Sequence, residues 1–456
     1  MAFLEKVRIL HRQTKYWTYI MKIRISVVYI LFMLLCSSVI FAQNAGGSAL
    51  SAQKHDTSRH SRLSIGGYGE MTYKHSFYSD NVFRYTFSDR YKGSKGHGEV
   101  DVPHAVIAMG YDFGHGWTMG TEIEFEHGGT EAAVELETEE TGEYEKEIER
   151  GGEVALEQFW LQKSWNSHLN LRMGHIVVPI GGTNQKHLPT EYFGVFRPEG
   201  ENTIIPCTWH ETGISLWGHL GQNSQWRYEA QLLPALNSAF FNVNGWAHDA
   251  SASPYEMRPA NHLAMAARMD FSGIANLRIG LSGYIGNAFR NDITVDEGSR
   301  YDTIAGHVII GAADFTYHQG RFVARGNADL GYLQNSRAIS RFNKALSNAN
   351  GSPYPHTNVG ELAYAVGVEA GVNVLATTSR HKLYTFIRVD NYDSYIPAEG
   401  QTDLEWTGRT SLALGLNYYP LPQIAVKAET GMRVMDRQYN NEPWLALGIT
   451  WAGMFK

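Results

Sequence analysis

Apolar and polar side chains alternate along most of this chain with a period of two. Near the start of the pattern, Leu63, Ile65, Met71 and Tyr73 share one face, and Ser64, Glu70, Thr72 and Lys74 share the other. Trp117, Met119, Ile123 and Phe125 oppose Thr118, Glu122, Glu124 and Glu126 in the same way. So do Trp226, Tyr228, Ala230 and Leu232 against Arg227, Glu229 and Gln231, and Leu277, Ile279 and Leu281 against Arg278, Gly280 and Ser282. Near the end, Leu412, Leu414, Leu416 and Tyr418 oppose Ser411, Ala413 and Asn417, and Ile424, Val426 and Met432 oppose Lys427, Glu429 and Arg433. Successive side chains of an extended chain point to opposite sides, so each run predicts a strand that is apolar on one face only.

Strands are expected over 62–75, 102–112, 116–127, 153–165, 168–177, 209–220, 224–234, 261–272, 276–289, 304–317, 320–334, 361–375, 381–392, 407–419, 423–435 and 443–455. A soluble sandwich also alternates, but seldom repeats strands this long. Short links carrying Gly or Pro, at Phe113-Gly114-His115, Ser272-Gly273-Ile274 and Pro420-Leu421-Pro422, alternate with long ones over 76–101, 128–152, 178–208, 235–260, 290–303, 335–360 and 393–406, and a shorter one near 436–442. Strand length, alternation and loop rhythm together predict an all-β, transmembrane, antiparallel up-and-down β-barrel of about 16 strands, with short periplasmic turns, long extracellular loops and both ends in the periplasm. One hairpin more or fewer, giving fourteen or eighteen strands, leaves the class unchanged. In the last strand Leu445, Leu447, Ile449, Trp451 and Phe455 share a face. It resembles the C-terminal signal read by barrel-assembly machinery, although the chain ends in Lys456 and not in an aromatic residue.

The N-terminus adds an address. Lys22 and Arg24 precede the apolar run from Ile25 to Phe41, which ends at Ala42 and is followed by Gln, Asn, Gly and Ser. That is the pattern of a cleavable signal peptide over 21–42, without the cationic stop-transfer cluster of an anchor. Residues 1–20 lie upstream of this complete signal and read as an over-extended start. The polar stretch 43–61 is expected to be a disordered periplasmic segment, and 62–456 the barrel. Leu35 before Cys36 is not the small residue of a lipid-attachment site, and the mature chain is left with the single cysteine Cys207. Residues 1–42 hold six of the 39 Lys and Arg and one of the 46 Asp and Glu, which leaves the mature chain with about twelve net negative charges. This balance argues against a nucleic-acid partner.

A barrel of this size is too wide for side chains to fill, so it holds water unless a loop occupies it, and selectivity follows the charges at the narrowest point. The loop 178–208 is the candidate constriction, because loops this long are uncommon unless functional or disordered. It carries Lys186, His187, Glu191, Arg197, Glu199 and Glu201, with Tyr192, Phe193 and Phe196 available to pack it against the wall. An exposed loop folded over the mouth is the alternative.

Residues around this loop carry a family likeness. Leu171-Arg172-Met173-Gly174-His175-Ile176-Val177-Val178-Pro179-Ile180-Gly181, then Tyr192-Phe193 and Arg197-Pro198-Glu199, then Thr208-Trp209-His210-Glu211-Thr212-Gly213-Ile214, resemble the central region of the phosphate-selective porin family, especially members from Bacteroidetes-type bacteria. Outside 171–214 the similarity is the shared strand rhythm. It implies a sixteen-stranded outer-membrane barrel, a homotrimer, and passive uptake of small hydrophilic solutes, with lipid and the assembly machinery as its other partners. Phosphate selectivity does not carry over. Family members that merit the name line the pore with Arg and Lys, whereas the polar faces here mix signs. Arg172, Arg227, Arg268, Arg278, Arg325, Arg388, Lys427 and Arg433 alternate with Glu229, Asp329, Glu429 and other acids. Opposite charges on neighbouring strands read more simply as ion-pair networks than as a filter.

The acidic loop Gly128 to Glu153 lacks the spaced Asp, Asn and Gly of a calcium loop and reads as a solvated charge run, in which Val134 to Glu140 has helical character. Ser215 lacks the second glycine of a nucleophile elbow, and the neighbours His210 and Glu211 point to opposite faces of a strand. Histidines are numerous but show no metal-ligand spacing, and no phosphate loop occurs. No catalytic site, metal or cofactor is therefore expected. A closed barrel serving as a surface receptor or structural protein is the second reading, and a barrel hydrolase a distant third.

Overall fold

The computed structural model describes residues 62–128, 132–138, 144–150, 154–253, 257–291, 299–346 and 354–454. The over-extended start expected over 1–20, the signal peptide expected over 21–42, the segment 43–61 and the near-terminal Phe455 lie outside the described residues. The strands are β1 Leu63–Ser76, β2 His97–Asp101, β3 His104–Gly114, β4 Trp117–Glu126, β5 Ala132–Thr138, β6 Tyr144–Arg150, β7 Val154–Asn166, β8 Leu169–Val177, β9 His210–Leu220, β10 Trp226–Pro234, β11 Leu263–Ile274 and β12 Leu277–Asn287. They continue with β13 His307–Gln319, β14 Phe322–Leu333, β15 Leu362–Asn373, β16 Lys382–Ile396, β17 Gly408–Leu421, β18 Ile424–Val434 and β19 Glu442–Met454.

Each wall strand pairs antiparallel with the next, and β1 returns to β19 with Glu70 opposite Thr450, closing a barrel of sixteen strands. β2 and β3 occupy one wall position, pairing with successive parts of β1 through Thr72↔Asp101 and Leu63↔Tyr111. The break between them falls at Val102-Pro103, because proline has no N–H to give the ladder. β2 lies within the predicted loop 76–101. β5 and β6 form a separate hairpin, so of the helical character expected over Val134 to Glu140, Val134 to Thr138 is corrected to an extended strand, and the remaining two residues lie outside the described residues.

The alternation sorts into an outer and an inner face. Met71, Ile107, Ile285, Leu330, Ile387, Leu414 and Leu447 are exposed on the outside, whereas Glu70, Glu229, Asp270, Arg268, Arg388 and Lys427 are buried within. A water-soluble protein does not wrap itself in so continuous an apolar surface, but a barrel in lipid must. Phe113, Trp117, Trp165, Trp226, Tyr418 and Trp451 lie exposed at strand ends beside the short turns, in the manner of an aromatic girdle. Turn positions moved slightly from expectation. β11 runs through Ile274 and the chain reverses at Asn276, with φ of 65°, because Asn tolerates the left-handed region that Ser272 and Ile274 do not favour.

Candidate functional site

The loop 178–208 leaves the end of β8 and turns into the barrel. Val178 and Ile180 are fully buried at its root. Gly181 follows with φ of +80°, and a Cβ there would sit 1.9 Å from Glu201 Oε1, so both backbone and space require glycine. Two short helices, Gly181–Gln185 and Glu199–Ile204, are tied together by one carboxylate: Thr183 Oγ1 donates to Glu201 at 2.6 Å and the Thr183 N–H at 3.2 Å. Asn184 donates to Ile180 O and Pro206 O and accepts from the Trp209 N–H at 2.7 Å. Isolated helices this short do not hold themselves, so these side chains carry the loop's shape.

Between the helices, Tyr192 to Phe196 runs along the wall opposite the loop's root, and wall side chains satisfy its backbone. Lys427 donates to Tyr192 O at 3.0 Å and Gly194 O at 2.7 Å, Asn417 to Phe193 O at 2.8 Å, and Arg388 to Phe196 O at 3.1 Å. Glu429 accepts the Val195 N–H at 2.8 Å. Phe193 is clasped by Tyr384 and Phe386, with Arg325 4.9 Å from its ring centre, and Val195 packs against Trp444 and Ala446. All these partners are inward-facing, so the loop crosses the barrel interior.

The six constriction candidates divide by environment. Lys186 and Glu191 line a solvent-open cleft of about 500 Å³, shared with Arg278, Asp314, Arg325, Glu369, Arg388 and Asp390. Burial, followed by the Arg278 guanidinium, lowers the Lys186 ammonium to about 8. Glu199 is bound by Arg433, Tyr392 and Ser411; burial would raise its carboxyl, but these partners hold it at about 2. Glu201 braces the two helices, and Arg197 is buried with Nη2 3.1 Å from Thr208 Oγ1. His187 turns to the near wall, edge-on to Tyr68 and 3.9 Å from Glu157.

The inner-face charges predicted from alternation are largely paired. Arg268 and Arg278 share Asp270 and Asp314 at 2.5 to 2.8 Å, and Arg227 meets Glu229 at 2.5 Å, Arg325 meets Glu369 at 2.5 Å and Arg433 meets Glu442 at 3.0 Å. Arg172 stacks over Trp160 at 4.3 Å, and buried Asp329 accepts from Asn327 at 2.6 Å. Ser215 donates to Glu229 at 2.8 Å, which gives this hydroxyl a structural partner. Glu211 meets Arg258 inside, while His210 meets His175 across the paired strands, so the two neighbours diverge as alternation requires. Alternation does not reveal a layer above the loop. Val178, Ile204, Ile205 and Trp209 join Leu236, Phe241, Trp246, Phe289 and Ile339 from the connections following β10, β12 and β14 in one buried apolar cluster.

An apolar outer band, a charged inner face and a loop packed inside a closed wall of sixteen strands define a transmembrane β-barrel. Similar solved structures carry the same fold. The outer membrane channel DcaP of Acinetobacter baumannii is 11% identical, with 86% of this chain and 97% of that one covered and a TM-score of 0.50. Salmonella typhi OmpF, in a complex with daunomycin, has the same identity, coverage and TM-score. An uncharacterised protein of Aquifex aeolicus is 25% identical over 399 residues, covering 85% of this chain and 79% of that protein. No family model matches the chain.

Proposed function

We propose that this protein is an outer-membrane porin through which small hydrophilic solutes or ions diffuse passively, along a water-filled route narrowed by loop 178–208. The observation that carries the reading is the loop's path across the barrel interior, anchored by Lys427, Asn417, Arg388 and Glu429, beside a cleft with both signs of charge on its walls. The fold likeness to a channel and a porin supports it. The mixed lining argues for weak ion preference and not for phosphate selectivity, since Arg278, Arg325 and Arg388 each have a carboxylate within 3.1 Å. Assembly as a homotrimer, insertion through the C-terminal strand β19 and export by the signal peptide belong to the same proposal.

Swelling of liposomes containing the refolded mature protein, measured with neutral sugars of graded size, tests the route. Uptake that falls steeply with sugar size is expected; no uptake of the smallest sugar contradicts it. Native electrophoresis of the same sample reads the trimer. The buried apolar cluster above the loop favours a second reading, a closed barrel acting as a surface receptor or structural protein, and the same absence of uptake is its expected result.

A further inference from the structure

Three side chains from separate elements converge where the loop meets the near wall: Glu122 of β4, Glu157 of β7 and His187 of the loop. Their candidate ligand atoms all lie within 4.8 Å of one another. Glu157 is 0% exposed, and among the described residues its Oε1 has no hydrogen-bond partner; neither has the buried His187 Nε2, which faces it at 3.9 Å. The His187 Nδ1 lies 3.3 Å from Asn184 O, and a carbonyl only accepts, so the ring proton sits on Nδ1. In the neutral ring, Nε2 then directs a lone pair at a carboxylate oxygen. Two buried acceptors facing each other are unfavourable unless a cation lies between them.

The surroundings hold each group in place. Tyr68 donates to Glu157 Oε2 at 2.8 Å and Gln158 to Glu122 Oε2 at 2.6 Å, so one oxygen of each carboxylate is held by a neighbour. Such supporting hydrogen bonds, including a backbone carbonyl on the second histidine nitrogen, are what orient metal ligands. A register shift in β4–β7 pairs Glu122 with Gln158 and Ile123 with Leu156, which leaves Glu157 without a ladder partner. Leu156 and Phe159 both remain on the outer face, so this bulge turns two consecutive residues, Glu157 and Gln158, inward.

We propose that Glu122, Glu157 and His187 bind one divalent cation of the zinc class, fastening the loop to β4 and β7. One imidazole nitrogen and two carboxylate oxygens suit such an ion, whose bonds of about 2.0 to 2.2 Å bring ligands to separations near that of His187 and Glu157. Calcium and magnesium prefer oxygen throughout.

The test uses the full mature chain, refolded, stripped with EDTA and titrated with zinc by calorimetry, with metal content measured after dialysis. One zinc ion per chain is expected. Glu157→Gln and His187→Gln each weaken binding at least tenfold while retaining the heat-modifiable electrophoretic shift of a folded barrel. If either variant fails to fold, X-ray absorption of the zinc-loaded wild type decides: a shell of one imidazole and oxygens supports the site. A shell of several imidazoles, the absence of saturable uptake, or uptake unchanged in both variants overturns it, leaving a proton or a bridging water in the gap.

Discussion

Lys427 shows what the interior charges do one residue at a time. Its ammonium caps two loop carbonyls and sits 4.2 Å from the centre of the Tyr192 ring, so it serves as a fastening for the loop. Lys427→Met removes both donors and leaves buried carbonyls unpaired, at a cost of about 1–3 kcal/mol. The expected result is a lower denaturant midpoint and noisier open-channel current; unchanged current and midpoint would show that the loop is held elsewhere. Lys186 is different because it faces the cleft, with Arg278 and Arg325 opposed by Glu191 and Asp314. Its ammonium is charged below about pH 8 and neutral above it. Anion preference, read from the reversal potential in a salt gradient, therefore falls as pH rises from 7 to 9, and Lys186→Gln flattens that change while starting from the lower value.

At the scale of the strand, the outer face answers to lipid. Leu414 sits mid-way along β17 and is 59% exposed, so Leu414→Arg places a cation against the hydrocarbon and destabilises the barrel by about 2–4 kcal/mol. Folding titrations into vesicles measure this, and a loss near zero would mean that this face is covered by protein. The strands were legible from sequence because alternation is enforced on every wall strand by the same two solvents, lipid outside and water or loop inside. The predicted 276–289 and 443–455 match β12 and β19 to within a few residues for that reason. The bulge at Glu157 was not legible, since an extra residue in one strand is defined only by its partner's register. Glu199 and Glu201 were recognisable as loop carboxylates, but their partners Arg433 and Thr183 are set by how the loop folds, which periodicity does not report. His187 was seen without Glu122 and Glu157 because no local spacing joins three residues brought together by closure of the barrel.

At the scale of the whole molecule, two layers occupy the interior: the loop crossing to β15–β19, and the apolar cluster roofing the side from β9 to β16. The charges around them are mostly paired, so the interior resembles a braced wall more than a ladder of free cations. In the proposed porin an aqueous route still passes this brace. The most direct measurement is single-channel conductance of the refolded mature protein in planar bilayers, under a KCl gradient and with phosphate added as a competitor. Discrete open steps with a small reversal potential and little phosphate block are predicted. A correctly folded barrel that stays silent across the voltage range would contradict the porin reading and favour the closed barrel.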